Sequence, residues 1–190
     1  MDIAPVTARK LDDLADLFES NGSTRGCWCM AQIVTNREYH SGWYGENRRR
    51  FEALAHEEGV PMGLLGYDGN RPVAWCAVGP RSRYRRAIGP RNTMLKSRDP
   101  AEDSDVWLVP CFFVRVGCRR AGITGELLLA AVELASEHGA KAMEGFPLAA
   151  DNPSKADGYY GREGLFEGHG FTCIARPTPK RALMRRDLHR

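Results

Sequence analysis

The feature that most constrains the fold is the stretch from residue 106 to residue 135, VWLVPCFFVRVGCRRAGITGELLLAAVELA. It starts with a near-continuous apolar run, which is typical of a strand with both faces covered. A turn containing Arg119, Arg120 and Gly122 follows, and an amphipathic helical pattern begins at Ile123. The first backbone N–H groups of a helix lack partners and carry partial positive charge. The stretch therefore predicts a strand, a turn and a helix whose N-terminus binds an anion, most often a phosphate.

Two common phosphate-binding motifs do not match this turn. Gly117 and Gly122 have the glycine spacing of a Walker A loop, but Ile123 stands where that loop needs its lysine. The G-x-G-x-x-G pattern of dinucleotide-binding folds is also missing from the stretch. What remains is a set of turn amides with arginines beside them, which favours a pyrophosphate as the ligand.

Composition indicates one soluble globular domain over residues 1–190. The 190 residues are 43% hydrophobic and 27% charged, with a net charge of +3, values that are ordinary for such a domain. Arginine clusters at 48–50, 81–86 and 181–190 are interpreted as solvated faces and tails, so we expect no nucleic-acid partner. A basic nucleic-acid-binding domain, supported by these clusters alone, is the weakest functional alternative.

The apolar pattern and the cysteine content predict the environment of the chain. No apolar run approaches the roughly 20 residues of a membrane helix, and the N-terminus does not read as a signal peptide. We therefore expect a cytoplasmic protein with no membrane partner, and six cysteines that remain thiols. Cys27 and Cys29 form a C-x-C pair that completes no zinc-binding pattern, so no metal is expected.

Periodicity and turn residues predict the other elements. Residues 27–34 are interpreted as a buried connector or one wall of a pocket. Loops are expected over 80–104 and 149–164, and Pro110 indicates a bulge or bend. The predicted helices and strands are, in chain order, helices over 7–21 and 37–58, a hairpin of 61–67 and 71–79, a strand over 106–116, a helix from Ile123 that Gly139 closes, a strand over 140–148, a short helix over 165–171, and closing strands over 172–176 and 181–188.

At the turn, the pattern Val114-x-Val116-x-x-Arg119-x-x-Gly122-x-Thr124 resembles the acetyl-CoA-binding motif of the GCN5-related N-acetyltransferases. The motif of that family is Q/R-x-x-G-x-G/A between a splayed strand and a long helix, and Thr124 departs from its last position. The order of predicted elements resembles the family fold over most of the chain. The resemblance implies an α/β (α+β) fold with a mixed, mostly antiparallel central sheet flanked by helices.

The resemblance also implies a cofactor and its binding residues. Backbone amides from Arg119 to Gly125, that is Arg119, Arg120, Ala121, Gly122, Ile123, Thr124 and Gly125, would hold the pyrophosphate of acetyl-CoA (coenzyme A). Val114 and Val116 would bond its pantetheine arm, and a strand amide near Val114 would polarise the thioester carbonyl. The implied activity is direct transfer of an acetyl group to a primary amine of a small molecule.

Proton transfer is where the chain departs from the family. Many members carry a tyrosine four residues before the last glycine of a closing G-F pair, and Phe166 stands there in this chain. Tyr159 or Tyr160 is the alternative acid, and we take Tyr160 as the catalytic candidate; a role in substrate contact is the alternative for both. For the base we take Glu144, because a carboxylate with apolar neighbours favours proton uptake, and an outward-facing solvated glutamate is the alternative.

The acceptor site is the least determined part of the sequence. If the aromatic residues Trp28, Trp43, Tyr44, Trp75 and Trp107 converge, they form a pocket for a flat or cationic amine, whereas core packing is their alternative role. The segment 81–86 binds a cofactor phosphate or an acidic substrate, or is a solvated loop. A non-catalytic acyl-CoA-binding module is the alternative to an enzyme. A homodimer is compatible with the sequence, which leaves the oligomeric state open.

Overall fold

The computed structural model describes residues 1–57, 59–150 and 158–188. The predicted loop over 149–164 and the last arginine cluster therefore lie partly outside the described residues. The strands are β1 (Asp2–Pro5), β2 (Gly63–Asp68), β3 (Arg71–Pro80), β4 (Val106–Val114), β5 (Ala142–Gly145), β6 (Thr172–Thr178) and β7 (Arg181–Asp187). The α-helices are α1 (Leu11–Glu19), α2 (Gly22–Cys27), α3 (Asn36–Ser41), α4 (Glu46–Glu57), α5 (Ile123–Glu137) and α6 (Glu163–Glu167).

The strands form one sheet in the order β1-β2-β3-β4-β5-β7-β6. Every neighbouring pair is antiparallel except β4 and β5, which are parallel. The parallel pair needs a crossover, and α5 supplies it because its apolar face covers β2, β3 and β4. The predicted mixed, mostly antiparallel sheet flanked by helices is therefore confirmed.

Helices cover both faces of the sheet. On one face, α1, α2 and α4 pack around Phe18, Trp28 and Trp75. On the other face, Leu127 and Leu128 of α5 pack against the opposite side of the same strands. Burial on both sides explains why β3 and β4 read as continuous apolar runs in the sequence.

The bulge that Pro110 predicts is present in β4. Ala77 lies opposite Cys111, but Gly79 lies opposite Leu108, so three steps along β4 match two steps along β3. One extra residue reverses which side of the sheet the following side chains face. As a result Leu108, Cys111 and Phe113 all belong to the side covered by α1 and α2.

The pairing of β4 with β5 is short. Only Val106–Val109 pair with Ala142–Gly145, whereas β4 continues to Val114. Beyond Val109 the edge of β4 that faces β5 has no neighbouring strand in the described part of the chain. This gap between two diverging strands opens directly beside the bulge.

The first half of the chain differs most from the predictions. The helix predicted over 37–58 is two helices, α3 and α4, because the chain turns between Gly42 and Gly45, whose φ of +117° ends a regular helix. The helix predicted over 7–21 ends earlier, and Gly22, expected to close it, begins α2 instead. The edge strand β1 was not predicted, because four residues with one proline carry little periodicity.

A buried ion-pair network joins the ends of three strands and one loop. Arg81, which directly follows β3, is 0% exposed. Its guanidinium donates to Asp103 at 2.7 Å, to Glu144 of β5 at 2.8 Å and to the Asp99 carbonyl at 2.7 Å. Arg185 of β7 donates to the other Glu144 oxygen at 3.2 Å. The long loop of residues 81–104 is therefore anchored to the sheet by a satisfied arginine.

We expect Arg81→Met to lower the free energy of unfolding by roughly 3–5 kcal/mol, because it removes the buried charge that binds both Glu144 and Asp103. Denaturant unfolding of wild type and variant measures the change. Arg49→Met, which removes an exposed ion pair with Glu46, is the matched control and should leave the unfolding midpoint unchanged. Equal effects of the two substitutions would contradict the assigned role of Arg81.

Candidate active site

A cleft of about 440 Å³ lies between the end of β4 and the start of α5. Its floor is the last part of β4, and its rim is the turn that leads into the helix. A 3-10 turn after residue 157 closes the opposite side through Gly158 and Tyr159. The lining residues are Phe112, Phe113, Val114, Arg119, Arg120, Gly122, Ile123, Thr124, Gly158 and Tyr159.

The turn presents unpaired amides to this cleft. Within the described residues, the backbone N–H groups of 119–124 donate no hydrogen bond, and the helix start at Gly122 has no side-chain cap. Gly122 has a φ of +76°, and a Cβ placed there would meet no atom within 4 Å. A helix N-terminus with free amides, an open glycine and two arginines fits the pyrophosphate of coenzyme A.

The open edge of β4 supplies further main-chain partners. The N–H of Arg115 donates to the Val73 carbonyl at 2.8 Å. Hydrogen-bonded and non-hydrogen-bonded pairs alternate in an antiparallel ladder, so the polar groups of Phe112 and Val114 point away from β3. They therefore face the gap left by β5, where an extended pantetheine arm can pair as a strand would. The Arg119 side chain already donates to the Val114 carbonyl at 3.1 Å.

The structure brings together most of the cofactor residues predicted from sequence. Val114, Arg119, Arg120, Gly122, Ile123 and Thr124 line the cleft. Val116 does not: it lies in the turn after β4 with 72% of its surface exposed, because the strand ends two residues earlier than predicted. Ala121 and Gly125 do not line the cleft. The Gly125 amide already donates to the Gly122 carbonyl at 2.8 Å, so of these two residues the Ala121 amide is the one left for a ligand.

A second cavity of about 290 Å³, the inner cavity, lies next to the cleft. It lies between β4, α2 and the segment from Cys27 to Gln32, so the prediction of a pocket wall there is confirmed. Aromatic side chains and thiols dominate the surface. The lining residues are Phe18, Ser23, Thr24, Cys27, Cys29, Ala31, Gln32, Tyr39, Trp43, Pro110, Cys111, Tyr159 and Tyr160.

Tyr159 connects the two cavities, and Tyr160 follows it in the chain. Tyr159 lines both of them and stacks on Phe113 with ring centroids 6.4 Å apart. Tyr160, the predicted acid, lines the inner cavity but not the cleft, and its hydroxyl accepts a hydrogen bond from the Gln32 amide at 3.4 Å. The Arg181 guanidinium lies 3.9 Å from the centre of the Tyr160 ring. The Tyr160 hydroxyl is thus held at the inner cavity beside the bulge of β4.

Three thiols line the inner cavity. The hydrogen bond that the Cys27 thiol donates to Cys29, together with burial, raises the pKa of Cys27 far above its ordinary value. The contact with Cys111 is the main cause that raises the pKa of Cys29, which also accepts from the Trp75 indole at 3.0 Å. Burial likewise raises the pKa of Tyr39. Neutral thiols are poor nucleophiles, so Cys27 and Cys29 contribute uncharged, polarisable surface.

Glu144, the predicted base, lies elsewhere. Its side chain is 1% exposed, and each carboxylate oxygen accepts from an arginine, one from Arg81 and the other from Arg185. It lines neither the cleft nor the inner cavity. This placement favours a structural role over proton abstraction, because a base must reach the reacting amine directly or through one water.

For most of the five aromatic candidates, core packing is the alternative that the structure confirms. Trp43 alone of the five candidates lines the inner cavity; Trp28, Trp75 and Trp107 are buried in the core, and Tyr44 is 97% exposed. The aromatic residues that sequence reasoning missed are Phe18 and Tyr39. No local signal marks them, since Phe18 belongs to an ordinary amphipathic helix and Tyr39 to a polar one.

Two further sequence predictions find structural roles. Arg81 and Arg83 are buried, and Arg83 donates to the carbonyls of Val60, Pro61 and Val78, so neither is available to bind an external phosphate. Phe166 is 0% exposed and packs edge-on against Phe112 and Phe171. The position at which the family carries a tyrosine is therefore part of the core here.

Within residues 1–57, 59–150 and 158–188, no group of three or more His, Cys, Asp or Glu side chains is arranged to hold a metal ion. Nor do these residues include a helix long and apolar enough to cross a membrane.

Comparison with solved structures identifies the fold. PaiA N-acetyltransferase from Thermoplasma acidophilum, solved in complex with coenzyme A, matches with a TM-score of 0.56 at 11% identity over 98% of both chains. A GCN5-related N-acetyltransferase from Kribbella flavida matches with 0.56 at 13% identity over 98% of this chain and 97% of that one. Ribosomal-protein-alanine N-acetyltransferase from Brucella melitensis matches with 0.53 at 18% identity over 99% and 100%.

These matches show that the chain has the fold of the GCN5-related N-acetyltransferases, as the turn motif predicts. No protein-family model matches the sequence, and no curated protein does. At such low identity the fold alone is shown.

We expect Gly122→Trp to abolish the binding of coenzyme A without unfolding the protein, because the indole would fill the space in front of the turn amides. Calorimetric titration measures binding, and circular dichroism checks folding. Gly69→Trp is the matched control: Gly69 also has a positive φ, +57°, with no atom within 4 Å of a placed Cβ, but lies in the β2–β3 turn. Unchanged binding in the Gly122 variant would rule out this placement of the pyrophosphate.

Proposed function

We propose that the protein is an acetyl-CoA-dependent N-acetyltransferase that acetylates a primary amine of a small molecule. The observation that carries the proposal is the continuity of two sites across Tyr159. On one side lies a cleft with free turn amides, and on the other lies a cavity of about 290 Å³, large enough for a small acceptor. Such an arrangement holds two reactants side by side, which is the main requirement for direct transfer.

The chain's own groups supply binding and orientation. The amides of residues 119–124 and the N-terminus of α5 hold the pyrophosphate. The main-chain groups of Phe112 and Val114 pair with the pantetheine arm, and a β4 amide donates to the thioester carbonyl as negative charge develops on its oxygen. Coenzyme A supplies the activated acetyl group as a thioester.

Proton transfer falls to the groups around the inner cavity. An aliphatic amine is mostly protonated at neutral pH and must lose a proton before attack. The leaving thiolate is weakly basic, since an ordinary thiol has a pKa of about 8.5. We assign the Tyr160 hydroxyl as the donor of a proton to the leaving thiolate. It lies beside β4 and takes the role of proton donor that the side chain of Phe166 cannot perform.

A non-catalytic acyl-CoA-binding module is the alternative, and Phe166 is the observation that favours it. The family position for a proton donor is a buried phenyl ring. A module of this kind would bind acetyl-CoA in the same cleft and release no thiol with any amine.

Acetyl-CoA should raise the melting temperature if either form of the proposal is right. At 100 times its dissociation constant a ligand stabilises the folded state by about 2.7 kcal/mol. That corresponds to roughly 5–10 °C for a chain of this size. Differential scanning fluorimetry measures the shift. Adenosine is the control ligand: it lacks the pantetheine arm and the pyrophosphate, so it should give no comparable shift.

Thiol release then separates the enzyme from the module. Detection of free coenzyme A with a thiol reagent, over a panel of primary amines, should show amine-dependent release above slow hydrolysis. Stabilisation by acetyl-CoA without release for any amine would favour the module, and no stabilisation would overturn both.

Glu144→Gln distinguishes a structural from a catalytic carboxylate. Because both oxygens are bound by arginines, we expect the variant to lose roughly 3 kcal/mol of stability and to keep its kcat within a fewfold at a temperature where it is folded. If the residue is also the general base, kcat falls on the order of a hundredfold or more in addition to the loss of stability. Denaturant unfolding and steady-state kinetics on the same preparation decide between the two.

A further inference from the structure

The inner cavity has an unusual charge character for a site that would receive an amine. Its described lining contains aromatic rings, thiols, hydroxyls and one carboxamide, and none of these residues is Asp, Glu, Lys, Arg or His. Cys27 and Cys29 remain neutral thiols near pH 7, since their pKa values are raised. A cation that enters this lining loses its water and gains no counter-ion from the described residues that form it, which is costly.

Aromatic rings could in principle compensate a cation through their faces. At Tyr160 that compensation is already taken, because the Arg181 guanidinium lies 3.9 Å from the ring centre. The stacking of Tyr159 on Phe113 likewise covers one face of that ring. The described lining of the inner cavity therefore offers aromatic surface to a flat, neutral amine and presents no carboxylate to a protonated one.

We infer that the acceptor is an arylamine, a primary amine attached directly to an aromatic ring. This inference rests on the proposed function and names its substrate class. At about 290 Å³ the inner cavity is near the lower end of ligand pockets, roughly 300–1,000 Å³, which suits one ring or two fused rings. The aromatic lining of Phe18, Tyr39 and Trp43 provides flat apolar surface for such a ligand.

The chemistry of an arylamine agrees with the groups available. Its nitrogen lone pair is delocalised into the ring, so the amine is unprotonated at neutral pH and attacks without a strong base. The nitrogen forms a bond to the thioester carbonyl carbon, the carbon–sulfur bond breaks, and one N–H proton ends on the departing sulfur. The products are an N-aryl acetamide and free coenzyme A, so no further reactant is consumed.

The decisive experiment compares aniline with cyclohexylamine, two six-membered rings that differ in the charge of the amine. With saturating acetyl-CoA near neutral pH, thiol release should give a kcat/KM for aniline that exceeds that for cyclohexylamine by roughly tenfold or more. Between about pH 6.5 and about pH 8.5 the value for aniline should stay constant, because the amine is already the free base.

A preference for cyclohexylamine, or turnover of aliphatic amines alone, overturns the inference and leaves the acetyltransferase proposal standing. No release with any amine, despite stabilisation by acetyl-CoA, overturns both.

A charge variant tests the same idea from the protein side. Gln32→Glu places a carboxylate in the lining of the inner cavity, next to the Tyr160 hydroxyl. It should shift the ratio of the two kcat/KM values towards cyclohexylamine by roughly tenfold. Asn36→Asp adds the same charge at an exposed position at the start of α3 and should leave the ratio unchanged. An equal shift in both variants, or none in Gln32→Glu while acetyl-CoA still stabilises it, would overturn the inference.

Discussion

The short parallel pairing of β4 with β5 is the constraint on which the rest of the site depends. Four residue pairs hold the two strands together, from Val106 with Ala142 to Val109 with Gly145. The buried network of Arg81, Glu144 and Arg185 lies at this paired end and ties β5 to the end of β3 and to β7. Beyond these four pairs the two strands separate, because the bulge at Pro110 bends β4. The bulge also reverses which side of the sheet the following side chains of β4 face. The β4–β5 pair therefore has a closed end, which ion pairs stabilise, and an open end, where main-chain groups of β4 are free.

The open end explains how one strand can serve two ligands. After the bulge, alternate residues of β4 belong to different surroundings: Cys111 faces the inner cavity, whereas the main chain of Phe112 and Val114 faces the cleft. The turn after β4 then directs the backbone into α5 with its first amides unpaired. The cleft is therefore built mainly from backbone, which is why its side chains can vary, as Thr124 does, without loss of the amide donors.

Much of the fold follows from local patterns in the chain. The apolar run of β4, the amphipathic pattern of α5 and the Asp68-Gly69 turn of the hairpin each carry a periodicity or turn chemistry that acts over a few residues. Pro110 identifies its bulge for the same reason, since a proline cannot donate to the ladder. Where that information is weak, prediction was less accurate: β1 is too short to show a period, and the turn at Gly42–Gly45 is masked by helical spacing on both sides.

The sequence by itself determined the strand–turn–helix unit, the phosphate-type turn and, through them, the resemblance that the solved structures bear out at the level of the fold. These features are local, so the identity of neighbouring residues is enough to specify them. Only the tertiary structure decided which side chains meet. It placed Glu144 between two arginines that are 63 and 41 positions away in the chain, and Gln32 beside Tyr160 at a separation of 128. Such contacts depend on how elements pack across the sheet, and no short-range pattern in the sequence records them.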